Sequence, residues 1–168
     1  MTPSIDIRLA SMIRSMTDVI TPAIDADNSF ACEQASLMVG HLHLFALQWR
    51  KVFPFAEVCL ADLTSCARGL RPGGGGATTA AAETLDGALL STDGDAERRY
   101  QHAALALEEL VRAVEADGDA DTRRRVETDV LAFSQRQAER DRAWFAMSGF
   151  DIDADNLPSI DDIIAEAA

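Results

Sequence analysis

Three polar side chains that could bind a ligand fall near one face of a predicted helix. Glu33, His43 and Arg50 lie in a stretch whose other positions are mainly apolar. If that face were buried, an acid, an imidazole and a guanidinium side by side could hold a ligand or move a proton, because burial shifts pKa values. The simpler interpretation is that these residues form the one solvated stripe of the helix. The sequence favours the solvated stripe and leaves the ligand site open.

His41 and Trp49 extend this candidate ligand site. His41 lies on a different face of the same helix, where a histidine is more often a hydrogen-bonded core residue than a ligand. An indole supplies a flat apolar wall of the kind that lines small-molecule pockets. The candidate ligand-binding set is therefore Glu33, His41, His43, Trp49 and Arg50.

A second candidate lies in the acidic C-terminal segment. Asp151, Asp153 and Asp155 alternate, and Asp162 stands at the twelfth place of that count, which is the outline of a calcium-binding EF-hand loop. However, Asn156 occupies the place where glycine makes the sharp turn, and the last ligand is Asp instead of the longer Glu. The sequence therefore favours a solvated acidic linker over a calcium site formed by these four aspartates.

Other site chemistries have no matching pattern in the sequence. A di-iron bundle needs Glu-x-x-His on two helices, and no such pair is present. The glycine run from 73 to 76 lacks the Gly-Lys-Ser/Thr ending of a phosphate-binding loop. A Gly-x-Ser-x-Gly nucleophile motif is also missing. The sequence therefore predicts no catalytic residues, no bound metal and no cofactor.

Charge and cysteine content limit the partners and the location. The net charge is −13, which disfavours nucleic acid and anionic membranes as partners. Cys59 and Cys66 would lie two turns apart on one helix, roughly 10 Å, which is too far for a disulfide. The first residues lack the charged and apolar regions of a secretion signal, and no run of eighteen uncharged apolar residues occurs. These features predict a cytoplasmic protein.

The stretch from Asn28 to Gly69 organises the predicted fold. Its apolar residues fall on nearly every side of a helical wheel, so other helices or a second copy must cover it. Pro54 removes one backbone hydrogen bond and predicts a kink or a brief break at that point. Self-association or binding of a protein partner through this helix is expected.

Shorter amphipathic helices flank this central one. Ser4 is expected to cap a first helix that ends near Pro22 and runs antiparallel to the central helix. Two further helices, at 97–116 and from about 119 to 147, are joined by a tight turn and form a second hairpin. The alanine-rich stretch 78–90 is only a marginal helix on sequence grounds, and 69–76 is predicted to be a flexible connection.

The predicted fold is all-α, an up-and-down four-helix bundle with a long kinked second helix and a short C-terminal helix. Residues 1–150 would form the bundle domain, and residues 151–168 an acidic linker with the terminal helix. The favoured function is a non-enzymatic protein that acts through protein–protein contacts, as a homodimer or an accessory subunit. The alternative is a small-molecule binder or enzyme with its site around Glu33, His41, His43 and Arg50.

Overall fold

The computed structural model describes residues 4–70 and 72–166, and in these residues every regular element is helical. The α-helices are α1 (Ile5–Ser15), α2 (Thr21–Ala23), α3 (Ser29–Gln48), α4 (Val52–Leu70), α5 (Gly76–Leu90), α6 (Ala96–Asp117), α7 (Ala120–Phe145) and α8 (Ile160–Glu166). A π-helical turn, Met16–Ile20, joins α1 to α2, and two short 3₁₀ turns lie between α7 and α8. The predicted all-α class is confirmed.

The main core surrounds α6. Its inward stripe supplies five buried residues, and α4, α5 and α7 pack against it. Ala103 and Leu110 are completely buried. The small side chains on α6 meet an alanine-rich face of α5, so these two helices pack more extensively than any other pair. The buried cluster as a whole consists of Leu63, Ala67, Leu70, Leu85, Ala88, Ala103, Ala106, Leu107, Leu110, Val114, Val126 and Phe133.

The C-terminal helix closes a second, smaller core. Val58 of α4, Ala143 of α7 and Ile163 of α8 form this cluster, with Phe55 and Leu157 beside it. Ser159 begins α8 as a cap: its Oγ accepts from the backbone N–H of Asp162 and donates to the Asp162 carboxylate. The segment after residue 150 is therefore packed against α4 and α7 through α8.

Helices α1 and α3, together with the turn that follows α3, form a hairpin beside this core, which we name the α1–α3 hairpin (residues 5–51). The start of α1 meets the end of α3 through Asp6 and Trp49, so the two helices are antiparallel, as the sequence predicts. In the described part of the chain, neither buried cluster includes a side chain from this hairpin. Leu9 and Ala35 are the residues that α1 and α3 bury.

The predicted long second helix is two helices, and the break is not at Pro54. Helix α3 ends at Gln48, and α4 begins at Val52 after a turn. Pro54 is the third residue of α4, in the first turn, where a backbone N–H has no helical partner to lose. The break is stabilised instead by contacts outside the helix: Gln48 Nε2 donates to the carbonyl oxygen of Trp144 at 2.6 Å, and Lys51 pairs with Asp161 at 2.7 Å.

The alanine-rich stretch is a full helix, because a distant aspartate caps it. The carboxylate of Asp117, at the end of α6, accepts the backbone N–H groups of Ala77 and Thr78 and the Thr78 hydroxyl, at 2.8, 2.9 and 2.6 Å. These bonds satisfy donors that α5 cannot satisfy itself, since its N-cap Gly75 has no side chain. Helix α5 is thus much more than the marginal helix expected from sequence.

The glycine-rich connection, predicted to be flexible, is hydrogen bonded along this end of the bundle. Gly75 N–H donates to the carbonyl oxygen of Asp117 at 2.9 Å, and Gly73 N–H donates to Thr122 Oγ1 at 2.8 Å. Gly74 and Gly118 form an isolated antiparallel bridge. The backbones come so close that a Cβ on Gly74 would lie 2.7 Å from Gly118 Cα and 2.8 Å from the Asp117 oxygen. Glycine is therefore required at position 74.

Gly74→Ala is expected to destabilise the protein, whereas Gly76→Ala is not. The first substitution forces the two backbones apart and should cost more than about 1 kcal/mol of unfolding free energy. A Cβ on Gly76 would meet nothing within 4 Å, and alanine is the better helix former. Urea denaturation followed by circular dichroism measures both variants. Equal unfolding midpoints for the two would contradict the close approach described for Gly74.

A half-buried ion-pair network joins α4 to α7. Asp62 accepts from Arg136 at 2.8 Å and from Arg140 at 2.6 Å, and the Asp62 and Arg140 side chains are each only 16% exposed. Burial raises the pKa of Asp62, but the hydrogen bonds from the two guanidinium groups lower it by more, so the pKa lies below its usual range. The folded state thus favours the ionised form of Asp62.

The contribution of Asp62 is expected to disappear in acid. Because its pKa is lower in the folded state, its stabilisation is present at neutral pH and is lost as the pH falls through the folded-state pKa. Asp62→Asn should therefore cost about 2 kcal/mol at pH 7 and less at pH 3, which lies below the usual pKa of an aspartate, about 3.9. The exposed pair Glu108–Arg112 provides the control, since Glu108→Gln should cost under about 0.5 kcal/mol at both pH values. Urea titrations at the two pH values test this; a cost for Asp62→Asn that is the same at both would contradict it.

Candidate functional site: the outer faces of the α1–α3 hairpin

Helix α3 presents three different faces. The inward face contains Ala35, Val39 and Leu42, which are buried or half-buried. A polar face carries Glu33, Ser36, His43 and Arg50 along the helix and its C-terminal turn, all exposed. The third face is apolar but exposed, and its large side chains recur at intervals of seven: Phe30 and Leu37 in one row, Met38 and Phe45 in the next.

Helix α1 and the turn after it repeat this arrangement. Leu9 is turned inward and is fully buried. Ile5, Met12 and Val19 are exposed and are also seven residues apart. A seven-residue repeat of apolar side chains is the pattern by which helices pair with other helices in coiled coils. We name these exposed apolar rows of α1 and α3 the outer stripes.

Charge separates the α1–α3 hairpin from the rest of the molecule. Residues 1–51 contain five acidic and four basic residues, a net charge of −1. The remaining residues contain 23 acidic and 11 basic residues, a net charge of −12. Within α3 itself the only charged residue is Glu33. The region with the outer stripes is therefore the least repulsive part of an acidic protein.

The structure spreads out the ligand residues expected from sequence. Glu33, His41 and His43 are exposed on α3, with His41 among the outer-stripe residues and Glu33 and His43 on the polar face. Five grooves and cavities on the described surface are lined by residues from position 52 onward, so none of these five is built from the predicted set.

Trp49 and Arg50 instead take part in a contact that fastens α1 to α3. The indole Nε1–H donates to Asp6 Oδ1 at 3.0 Å, and Arg50 pairs with the other oxygen of that carboxylate at 2.5 Å. The Arg50 guanidinium also lies over the Trp49 ring, 4.4 Å from its centroid, in cation–π geometry. Asp6, which the sequence pattern did not single out, is thus the shared acceptor at the open end of the hairpin.

Three of the four tail aspartates have hydrogen-bond partners of their own. Asp151 accepts two hydrogen bonds from Arg142, at 2.8 and 3.0 Å, and these bonds hold the pKa of Asp151 down at about 2. Asp153 accepts from Asn156, and Asp162 belongs to the cap of α8. Over residues 4–70 and 72–166, no three His, Cys, Asp or Glu side chains are grouped so as to hold a metal ion. Asp151, Asp153, Asp155 and Asp162 therefore do not form one cluster.

Helix α3 is apolar enough to raise the question of a membrane. Within the residues that the structure covers, no helix combines the length and the apolar character needed to cross a bilayer. A polar face lies beside the exposed apolar face of α3. The heptad spacing of the outer stripes suits the packing of helix against helix.

Leu9→Ala is expected to loosen the α1–α3 hairpin without disturbing the main core. Leu9 is 1% exposed, and truncating a buried leucine lowers the unfolding free energy by about 2–4 kcal/mol. Among the described residues the hairpin shares no buried cluster with α4–α8, so this loss should be confined to the hairpin. Amide hydrogen exchange should quicken in α1 and α3 and stay unchanged in α6. Ile7→Ala, at a position 63% exposed, is the matched control and should leave exchange in both regions unaltered. Faster exchange of α6 in Leu9→Ala would show that the two parts unfold together.

Comparisons with known proteins do not assign this site. No protein-family model, no curated protein and no solved structure matches the chain. A function therefore has to be inferred from the residues and their geometry.

Proposed function

We propose that this protein is non-catalytic, forms a homodimer through the outer stripes of the α1–α3 hairpin, and acts through protein–protein contacts. The observation that carries the proposal is the exposure of Phe30, Leu37, Met38 and Phe45 on one face of a helix with a single charge. A patch of this kind on a folded protein marks an interaction surface, because its burial removes apolar area from water.

A second copy of the chain is the occupant that fits this surface best. Two antiparallel hairpins that pack stripe to stripe make a four-helix bundle, and a two-fold axis lets each copy present the same patch to the other. Two copies of a −13 protein repel one another, and they do so least where each carries a net charge of −1. Seven-residue spacing on both α1 and α3 suits pairing with helices of the same kind.

The size of the surface supports a dimer of moderate affinity. Helix α3 has 20 residues, so it is about 30 Å long. Two packed helices present a face about 20 Å wide, which gives roughly 600 Å² per copy. The total of roughly 1,200 Å² lies at the lower end of specific protein interfaces.

In this proposal the two parts of the chain have different tasks. Helices α4 to α7 would form an up-and-down four-helix bundle, made of a different set of helices from the one expected from sequence, and they would carry the acidic surface. The α1–α3 hairpin would provide the dimer contact. The three free cysteines, Cys32, Cys59 and Cys66, support the cytoplasmic location that belongs to this proposal.

Charged substitutions in the outer stripe are expected to convert the dimer to a monomer. Leu37→Glu combined with Phe45→Glu places two like charges of each copy in the interface, which should weaken association at least a hundredfold. Leu105→Glu changes an equally apolar side chain on α6, 62% exposed and outside the hairpin, and should leave the dimer intact. Sedimentation equilibrium over a micromolar concentration series measures all three proteins.

Two results would contradict the proposal. One is a monomeric wild-type protein at high micromolar concentration, which would leave the outer stripes to a different protein partner and favour an accessory subunit. The other is a dimer that Leu105→Glu disrupts and the α3 substitutions do not, which would move the interface to α6.

A further inference from the structure

A cavity between α4, α6 and α7 combines aromatic walls with acidic side chains. Its volume is about 360 Å³, within the range of small-molecule sites. Phe55 and Trp144 are in contact, with ring centroids 4.6 Å apart, and Tyr100 lies on the α6 side. The carboxylates of Glu97 and Asp141 complete the lining, together with Val52, Ala56, Cys59, Gln101 and Gln137.

The charge of this cavity is negative. Of the described residues that line it, two are acidic and none is Lys, Arg or His. Arg140, whose charge acts on Tyr100 and Cys59, pairs with Asp62 at 2.6 Å. Burial raises the pKa of Tyr100 to about 12, so its phenol stays neutral and contributes no charge at physiological pH.

Gln137 lies in the lining and positions one of its carboxylates. Its amide Nε2 donates to Asp141 Oδ1 at 2.9 Å and to the Cys59 sulfur at 3.5 Å. Because the Asp141 carboxylate only accepts hydrogen bonds, the Gln137 amide must turn Nε2 toward it and Oε1 away from it. That oxygen is buried and, among the described residues, accepts no hydrogen bond. With Oε1 shielded from solvent, the contribution of Gln137 to the lining is the hydrogen bond that positions the Asp141 carboxylate.

We propose that this cavity binds a small organic amine in its cationic form. The ammonium group would lie toward Glu97 and Asp141, and the apolar body among Phe55, Tyr100 and Trp144, where aromatic faces also attract a cation. An anionic ligand of the same shape would be repelled by both carboxylates. This site is separate from the outer stripes, so its occupancy does not depend on the proposed dimer.

Phenethylamine and phenylacetate make a matched pair of probes, because both carry one phenyl ring and differ in the sign of their charge. Isothermal titration calorimetry with the full chain should show millimolar or tighter binding of phenethylamine and at least tenfold weaker binding of phenylacetate. Quenching or a shift of tryptophan fluorescence should accompany binding of the amine. Failure of phenethylamine to bind at millimolar concentration, or equal binding of the two probes, would overturn the proposal.

Two substitutions locate the binding. Asp141→Asn keeps an acceptor for Gln137 Nε2 but removes the charge, and it should weaken amine binding at least tenfold. Glu139→Gln removes one charge from the same helix outside the cavity and should change the affinity for the amine less than twofold. This control separates binding at the site from general attraction of a cation to an acidic protein. Equal affinities for these two variants would contradict the site.

A third substitution tests the cavity itself. Ala56→Leu fills the space without changing the charge and should abolish binding of phenethylamine. Circular dichroism confirms that the variant is folded before the titration. Unchanged binding by a folded Ala56→Leu variant would place the amine elsewhere on the protein.

Discussion

Burial of the apolar stripe of α6 is the interaction on which the rest of the structure depends. Three helices, α4, α5 and α7, direct their own stripes at it, and the described members of this core cluster all come from α4 to α7. Helices α1 and α3 are held to each other mainly by the buried Leu9 and by the contact of Asp6 with Trp49 and Arg50. The turn before α4 connects this hairpin to the rest of the chain. The large apolar side chains of the outer stripes remain on the surface because, among the described residues, neither buried cluster includes them.

Local signals predicted much of the helical layout, because caps and stripes are encoded within a few residues. The cap at Ser4, the helix start after Asn28 and the tight turn between α6 and α7 all follow from short-range rules. The break at residues 49–51 was not predictable in this way. Its partners, Asp6, Trp144 and Asp161, lie far away in the sequence, and Pro54 is the nearer and more obvious signal.

Long-range capping explains why α5 is a full helix, whereas the sequence predicted only a marginal one. Helix α5 has many alanines and no capping side chain of its own, so local reasoning underestimates it. Asp117 supplies the cap from the end of α6, and no spacing rule links residues so far apart in the chain. The aromatic cavity was missed for a similar reason, since Phe55, Tyr100 and Trp144 come from three helices. The one available signal was Gln137, a polar residue within the otherwise apolar stripe of α7.

The uneven charge of the chain has a consequence for how the protein would meet a basic surface. Nearly all the excess negative charge belongs to residues from position 52 onward, so an anion-exchange resin or a cationic partner would capture the molecule by that side. The α1–α3 hairpin, which is nearly neutral, would contribute little to that capture. Electrostatic tethering and the proposed pairing of hairpins would thus use different parts of the chain, and an immobilised layer of the protein could still recruit further copies from solution.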